Sequence, residues 1–254
     1  MRDNRVRAAL MRGEPVYGTM ISEMRTPAVA FILAEAGLDF FFIDMEHGPY
    51  NMETVADIVK VARLAGIVPL VRVPDAQYHL IARVLDGGAM GVMVPRVETR
   101  ETVERAVAAL RYPPLGERGC STGKGNSEFR REPLWDYTRH ANDNILAIMQ
   151  VERKIAIEQI DDLLSVPGVD VALIGPMDLT LSLGASGPQD PLVQEAIHKV
   201  VEAGKRHSVA TGIHLGDVAQ LKSWQARGMT MLTCSTELDF LASGAVAAVK
   251  GLRG

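Results

Sequence analysis

Four short apolar segments of this chain each lead into a charged side chain whose type suits chemistry. His47 follows FFFIDME, and Arg72 ends PLVR. Glu152 follows ILAIMQV, and Asp178 follows VALIGPM. Two carboxylates with further positions open to water suit a hard divalent cation such as Mg²⁺ or Mn²⁺. A histidine titrates near neutral pH and suits proton transfer, so the four positions together predict an active site.

Each of these residues also has a purely structural interpretation. Asp178 precedes a predicted helix and could cap its amino terminus. Glu152 could pair with Arg153 or Lys154 beside it. Arg72 sits in a buried-looking strand, so it must meet either a structural carboxylate or an anionic ligand. Charged residues at four strand ends that face one cleft favour the active-site interpretation.

Acidic neighbours favour a catalytic role for His47 over a packing role. Asp44 and Glu46 precede it in the run DMEH, and a histidine in such a run can act as a general base. Asp86 ends the predicted helix HLIARVLD and could orient His47. The spacing of Asp86 alone, however, is typical of a surface residue at a helix end.

The positions of the lysines disfavour a Schiff-base aldolase, which needs a desolvated lysine inside its barrel. All seven lysines lie outside the predicted strands: Lys60, Lys124, Lys154, Lys199, Lys205, Lys222 and Lys250. Activation of a carbonyl by a metal ion is therefore favoured over activation as an imine.

The elements that must position these residues alternate between short apolar runs and longer segments of helical period. The eight predicted strands begin near Val16, Phe40, Pro69, Gly91, Ile145, Val171, Ala210 and Met229. Such alternation predicts an α/β fold, and eight units in 254 residues predict a single (β/α)₈ TIM barrel over residues 1–254. A doubly wound sheet usually opens with a glycine-rich phosphate turn, which the first turn TMISEMRTP lacks.

One connection between the predicted strands is much longer than the others. The fifth strand starts 54 residues after the fourth, whereas the other starts are at most 39 residues apart. The excess, at about residues 112–140, is rich in glycine, proline and charge. On a compact barrel such an insertion predicts a lid or a binding loop.

Composition limits the partners and the compartment. Hydrophobic residues make up 47% of the chain, and 27 basic against 31 acidic residues give a formal net charge of −4. A mildly acidic chain without a basic tract argues against nucleic acid or an anionic membrane as partner. The basic start lacks a long apolar core, and Cys120 and Cys234 lack zinc-site spacing. We therefore expect a cytoplasmic protein with two reduced thiols.

The strand ends resemble those of the class II, metal-dependent pyruvate aldolases. The similar stretches are FFIDMEHGPYN, LVRVP, VLDGGAMGVMVPRVET, RYPPLGERG, MQVE and VALIGPMDLTLSLG, within a match from about residue 16 to residue 250. This family includes 4-hydroxy-2-oxoheptanedioate aldolase and 2-keto-3-deoxy-L-rhamnonate aldolase. The resemblance implies a TIM barrel of the phosphoenolpyruvate/pyruvate-binding type.

The same resemblance implies a substrate site built around a divalent metal ion, Mg²⁺, Mn²⁺ or Co²⁺. Glu152 and Asp178 would hold the metal, and pyruvate would chelate it through its carboxylate and keto oxygens. Gln150 and the backbone around Gly175 and Met177 would lie beside the pyruvate.

The resemblance further implies how charge and protons are handled. Arg72 would stabilise the enolate, while His47 and Asp86 would move the proton, directly or through water. Asp44 and Glu46 would support these groups from a second layer.

Two segments depart from the family pattern where the aldehyde is expected. His214, in GIHLGD, replaces an apolar or small residue, and residues 120–130 replace a run of small residues. The identity of the aldehyde therefore stays open. Related barrels form trimers or hexamers with a swapped terminal helix, and the apolar stretch ELDFLASGAVAAVKGLRG agrees with such a homo-oligomer.

We therefore predict a lyase that reversibly cleaves a 4-hydroxy-2-oxo acid to pyruvate and an aldehyde through a metal-stabilised enolate. Oxaloacetate decarboxylation and citrate-lyase-like cleavage of a CoA ester pass through related intermediates and stay open as alternatives. The CoA alternative is the weaker one, because the chain lacks a basic patch for a nucleotide. A third alternative, from another class, is an inactive barrel that only binds a small acid or serves as an assembly subunit.

Overall fold

Eight parallel strands pair in chain order and close into a barrel in this computed structural model, which describes residues 2–254. The strands are β1 Val16–Ile21, β2 Phe40–Asp44, β3 Val68–Arg72, β4 Gly91–Val94, β5 Leu146–Val151, β6 Val171–Ile174, β7 Ala210–Leu215 and β8 Met231–Thr236. All eight predicted strands are present, and their starts differ from the predicted ones by at most two residues. The predicted (β/α)₈ TIM barrel is confirmed.

Helices connect the strands and cover the outside of the barrel. Within residues 2–254 they are α1 Arg5–Met11, α2 Val29–Glu35, α3 Met52–Ala65, α4 Tyr78–Asp86, α5 Arg100–Leu110, α6 Leu134–Asn144, α7 Lys154–Glu158, α8 Ile160–Leu164, α9 Pro176–Leu183, α10 Pro191–His207, α11 Val218–Ala226 and α12 Glu237–Arg253. Local sequence sets their ends: on α3 the Asn51 side chain accepts from the Thr54 N–H, and Gly66 stops the helix at a φ of 80°. Over the same residues, no helix has both the length and the apolar composition needed to cross a bilayer.

The alternation of side chains along each strand divides the core into two layers. On β2, Phe40 and Phe42 pack inside the barrel, whereas Phe41 and Ile43 pack against the helices. The rings of Phe40 and Phe42 meet edge to face, with centroids 5.5 Å apart. Continued by one more step, the same alternation turns Asp44 toward the interior at the carboxyl end of the strand.

Helix α1 closes the amino end of the barrel. Val6 and Leu10 on this helix belong to the same buried cluster as the inward-facing strand residues. The Asn4 side-chain amide donates to the carbonyl of Met90 at 2.8 Å and to that of Asn144 at 2.9 Å. These bonds fix α1 to the starts of β4 and β5.

The insertion at residues 112–140 begins and ends at the amino end, because it connects the end of α5 to the start of β5. Arg118 donates to the Asp86 carboxylate at 2.8 Å, and the Gly119 N–H donates to the Tyr78 hydroxyl at 2.9 Å. Both partners are on α4, so the segment packs along that helix. The two contacts lie at opposite ends of α4, and the role of this segment as a lid or a binding loop stays a prediction.

We predict that Gly91→Ala destabilises the fold. A Cβ on Gly91 would lie 2.7 Å from the Leu146 Cβ and 2.8 Å from the Leu146 carbonyl oxygen on the paired strand β5. Overpacking of this kind costs about 1–3 kcal/mol. Gly187→Ala is the control, because nothing lies within 4 Å of its Cβ position. Urea unfolding measures both, and a Gly91→Ala variant as stable as the control would contradict this packing.

Candidate active site

A cavity of about 400 Å³ opens at the carboxyl ends of the strands. Because residues two apart on a strand face the same side, Arg72, Gln150 and His214 turn inward with Asp44 as the last layer of the barrel. Seven of the predicted site residues line the cavity: Asp44, His47, Arg72, Gln150, Gly175, Met177 and Asp178. The chain thus brings most of the predicted site together at the opening of this cavity, which we call the mouth of the barrel.

Arg72 and Asp44 form a two-pronged ion pair on neighbouring strands. Arg72 Nε donates to Asp44 Oδ1 at 2.8 Å, and Nη2 donates to Oδ2 at 2.5 Å. Both side chains are buried, which alone would raise the pKa of Asp44. The bonds from Arg72 and from the backbone N–H groups of Glu46 and His47 outweigh burial, so the pKa of Asp44 is lowered. The pair is therefore charged and fixed in orientation.

Glu46 lies between two guanidinium groups at the same mouth. Its Oε2 is 3.3 Å from Arg72 Nη1, and its Oε1 is 3.3 Å from Arg96 Nε. Burial raises the pKa of Glu46 despite these charges. No hydrogen bond within residues 2–254 reaches Oε2, so this oxygen keeps an open acceptor site.

Glu152 is a buried carboxylate crowded by negative charge. Its Oε1 accepts the backbone N–H of Arg96 at 3.0 Å, and its Oε2 accepts a short bond from Gln150 Nε2. Burial, then the charges of Asp178 and Glu46, raises the pKa of Glu152 to about 7. A nearby cation would reverse that shift, because it favours the ionised carboxylate.

Glycine at position 175 is required by the closeness of these side chains. A Cβ there would lie 2.6 Å from Glu152 Oε2 and 3.0 Å from Gln150 Nε2. The next residues begin α9 and place Asp178 in its first turn, on the wall of the cavity. Gly175 therefore lets β6 bring the start of α9 against the end of β5.

The donor set fits a divalent cation. Four carboxylates and two guanidinium groups at the mouth leave a net charge of −2: Asp44, Glu46, Glu152 and Asp178 against Arg72 and Arg96. Gln150 Oε1 is buried and has no partner in the described chain. The described residues contain no group of three His, Cys, Asp or Glu side chains placed as metal ligands. Two carboxylates would leave coordination positions to substrate and water, as Mg²⁺ commonly requires.

The structure places the two predicted proton-handling residues far apart within one chain. His47 lies on the rim with 67% of its side chain exposed, and its Nε2 is 4.0 Å from Glu46 Oε2. Asp86 ends α4 at the amino end of the barrel and pairs there with Arg118. Asp86 of the same chain therefore does not contact His47.

His214 occupies the inward position at the end of β7. Its Nε2–H donates to the Ser235 carbonyl at 3.1 Å, so the neutral ring keeps Nδ1 as an acceptor. Burial, then the charge of Arg72, lowers the pKa of His214. This side chain is a neutral, polar wall of the cavity.

Sequence reasoning missed two residues that shape the site. Arg96 has a φ of 50°, and this backbone aims its N–H at Glu152. The sequence contained a signal for Arg96, because it is a charged residue just after β4, as the other site residues are after their own strands. Glu237 is buried and accepts the N–H groups of Ser22 and Met24 in the β1–α2 loop. No sequence pattern marks that long-range contact.

Comparison with known proteins gives consistent results over nearly the whole chain. The family model described as HpcH/HpaI aldolase/citrate lyase matches residues 19–243. The chain is 34% identical to a hydroxypyruvate/pyruvate aldolase of Deinococcus radiodurans, over 95% of this chain and 87% of that protein. It is 32% identical to a 5-keto-4-deoxy-D-glucarate aldolase of Salmonella paratyphi C, over 92% of this chain and 91% of that protein. A solved HpcH/HpaI aldolase of Desulfitobacterium hafniense superposes with a TM-score of 0.93 at 35% identity, over 97% of this chain and 95% of that one.

We predict that Glu152→Gln stabilises the chelator-treated protein at pH 8 but not at pH 5. The raised pKa of about 7 means that folding favours protonated Glu152, so its stability contribution is lost as pH rises through 7. At pH 8 the ionised group costs on the order of 3 kcal/mol, which glutamine avoids. Thermal unfolding at both pH values measures this, with Glu158→Gln on an exposed helix as control. An equal difference in Tm between Glu152→Gln and the wild type at both pH values would contradict the prediction.

Proposed function

Because the chain belongs to the HpcH/HpaI aldolase/citrate lyase family, we propose that its mouth reversibly cleaves a 4-hydroxy-2-oxo acid to pyruvate and an aldehyde. The observation that carries this proposal is that Arg72, held by Asp44, and the carboxylate of Asp178 line one cavity, with the carboxylate of Glu152, whose pKa is raised, directly against Gly175 and Gln150 in its wall. Cleavage of this kind needs one group that stabilises an enolate and one that removes a hydroxyl proton.

Glu152 and Asp178 would hold a divalent cation, Mg²⁺, Mn²⁺ or Co²⁺, with Gln150 beside them. When bound, such an ion supplies a Lewis acid for the keto group of the substrate. Gln150 and the backbone at Gly175 and Met177, which line the cavity, would lie beside the pyruvate. The tight contact of Gly175 with Glu152 keeps this wall in one position.

Arg72 would stabilise the enolate oxygen that forms when the C3–C4 bond breaks. Asp44 holds two of its nitrogens, so the guanidinium cannot rotate away as charge develops. A fixed charge of this kind stabilises a transition state without reorganisation. Asp44 and Glu46 therefore act as positioning residues for Arg72.

His47 would take the proton of the 4-hydroxyl group, and its exposed rim position lets water exchange that proton. Glu46 is the carboxylate beside it in the same chain. Because Asp86 lies at the opposite end of its own barrel, its orienting role requires a second copy of the chain to bring it to the mouth.

Citrate-lyase-like cleavage is the second candidate, since the family description names that activity. The aldolase function is better supported, because the relatives compared above are named aldolases. A cavity of about 400 Å³ suits a small acid and a short aldehyde. Assaying free CoA against free aldehyde as products separates the two candidates.

We also propose that His214 selects the aldehyde. It is a half-buried polar side chain that lines the cavity, and its lowered pKa favours the neutral ring. An acceptor atom at Nδ1 suits an aldehyde that carries a hydroxyl group next to its carbonyl.

A homo-oligomer, trimer or hexamer, is the assembly that we propose. Helix α12 leaves the barrel with large apolar side chains exposed, among them Leu241 at 59% and Val246 at 66%. A separate apolar cavity of about 280 Å³ lies between α11 and the strands, lined by Tyr17, Leu38 and Leu221. An unpartnered helix and an unfilled apolar groove on one chain fit mutual burial between copies.

We predict that Arg72→Ala lowers kcat by roughly 10²–10³-fold, the loss typical of a missing oxyanion donor. Arg72→Lys should recover only part of the lost kcat, because an ammonium group cannot reproduce the two-pronged contact with Asp44. Deuterium exchange into the pyruvate methyl group, measured beside aldol cleavage, should fall in parallel. Arg206→Ala, an exposed arginine on α10, is the control. Wild-type exchange in Arg72→Ala would refute the enolate role.

We predict that His214→Leu raises the KM for a hydroxylated aldehyde by roughly tenfold, the effect of one lost hydrogen bond. The KM for an unsubstituted aldehyde of similar length should change little, as should pyruvate exchange. A panel of aldehydes offered with pyruvate and Mg²⁺ measures both. Equal effects on the two aldehydes would rule out recognition of the hydroxyl group by His214.

We predict that Leu241→Asp weakens the assembly, because it places a charge on the exposed apolar face of α12. Leu192→Asp, the same change at a leucine with 57% exposure on α10, is the matched control for the added negative charge. Light scattering at micromolar concentration should give an oligomer for the wild type and the control and a smaller species for Leu241→Asp. A fully active wild-type monomer would contradict the proposed assembly.

A further inference from the structure

The loop after β4 has an unusual backbone conformation at Arg96. Its φ is 50°, in the left-handed region that residues with a side chain rarely adopt. Left-handed residues commonly end helices, as Ser208 does after α10. Arg96, in contrast, follows a strand and precedes the start of α5, so no helix end explains its conformation. A strained backbone of this kind is typical of functional sites.

The peptide of Arg96 contacts Glu152, the buried carboxylate after β5. The Arg96 N–H donates to Glu152 Oε1 at 3.0 Å, and Gln150 Nε2 donates to Oε2. Within residues 2–254 these are the two hydrogen bonds that this carboxylate accepts. Gln150 is the less rigid of the two donors, because the other atom of its amide, Oε1, has no partner in the described chain. The orientation of Glu152 therefore depends chiefly on the peptide of Arg96.

The side chain of Arg96 stabilises this conformation by contacts with two other loops. Its Nη2 donates to the Pro74 carbonyl at 3.1 Å, and its Nε lies 3.3 Å from Glu46 Oε1. Both contacts offset the cost of the left-handed backbone. The side chain is 55% exposed and does not line the cavity, whereas Arg72 does. The geometry thus indicates a role for Arg96 through its backbone rather than through contact with a substrate.

We propose that Arg96 is a positioning residue, whose left-handed backbone orients Glu152 for the binding of a divalent cation. This role rests on the proposed function, in which Glu152 and Asp178 hold that cation. Each carboxylate oxygen of Glu152 accepts one hydrogen bond and keeps a second lone pair, so the Arg96 N–H fixes the carboxylate and leaves it free to act as a ligand. The loss of such a partner behind a metal ligand commonly lowers metal affinity by about 10–100-fold.

Three substitutions at this position separate the backbone conformation from the charge of the side chain. Asparagine tolerates a positive φ, alanine tolerates it less, and the β-branched valine is the least compatible with it. Arg96→Asn, Arg96→Ala and Arg96→Val all remove the guanidinium group and all keep the backbone N–H. A difference in metal affinity among the three variants therefore reports the conformation of residue 96, because the change of charge is the same in each.

Binding of Mn²⁺ to the metal-stripped protein at pH 8, measured from the electron paramagnetic resonance signal of free Mn²⁺, tests this role without turnover. Arg96→Val should bind Mn²⁺ at least about tenfold more weakly than the wild type, the loss typical of a missing partner behind a metal ligand. Arg96→Asn should retain most of the affinity that Arg96→Val loses, with Arg96→Ala between them. Asp178→Asn identifies the site, because it should abolish this binding.

A crystal structure of metal-free Arg96→Val gives a second readout, which does not depend on the metal. Its Glu152 side chain should turn away from the N–H of residue 96.

Equal Mn²⁺ affinities of the three variants, or an unmoved Glu152 in Arg96→Val, would overturn the role of Arg96 and leave the proposed function intact. If Arg96→Val does not fold, equal affinities of Arg96→Asn and Arg96→Ala would overturn it. A wild type that binds Mn²⁺ no more tightly than Asp178→Asn would instead overturn the proposed function together with this role.

Discussion

The buried ion pair between Arg72 and Asp44 is the interaction on which the mouth depends. Two adjacent strands end at these residues, and the register that pairs Asp44 with Arg72 puts their side chains within bonding distance. Removing one partner from such a pair costs about 3–5 kcal/mol, because the other charge stays buried. The charge of Arg72 also acts on its neighbours. It lowers the pKa of Asp44 and of His214, and it forms a second ion pair with Glu46. Glu152, farther along the barrel, receives too little of this positive charge and keeps a raised pKa. In one half of the site, Arg72 thus compensates the negative charge of Asp44 and Glu46. In the other half, the charge of Glu152 is not compensated, and this half fits a cation.

This division explains why one barrel can both hold and cleave a 2-oxo acid. In the proposed reaction, a cation at Glu152 and Asp178 and the guanidinium of Arg72 would both act on a small molecule in this cavity, and His47 would reach it from the rim. His214 and Thr236 also line the cavity, and if they contact the aldehyde as proposed, this part of the wall could vary without disturbing the pyruvate site. That separation agrees with relatives whose names share an aldolase activity but differ in substrate.

The sequence predicted the fold and most of the mouth because both depend on short-range periodicity. The two-residue period of FFFID places Phe40 and Phe42 inside the barrel and Asp44 at its end, and β3 and β5 do the same for Arg72 and Gln150. The lid prediction has no such basis, because insertion length does not tell at which end of the barrel a segment begins, and residues 112–140 begin at the amino end. Asp86 was proposed from a motif, and the direction of α4 carries it away from His47. Glu237 supports the β1–α2 loop through contacts more than 200 positions away in the chain, which no local pattern reveals.

We propose that the mouth binds pyruvate only together with a divalent cation held by Glu152 and Asp178. Calorimetric titration of pyruvate into metal-stripped protein, with and without Mg²⁺, measures this dependence. We expect binding with Mg²⁺, none detectable without it, and the loss of binding in Asp178→Asn even when Mg²⁺ is present. Equal pyruvate affinity in the presence and absence of the cation would contradict it.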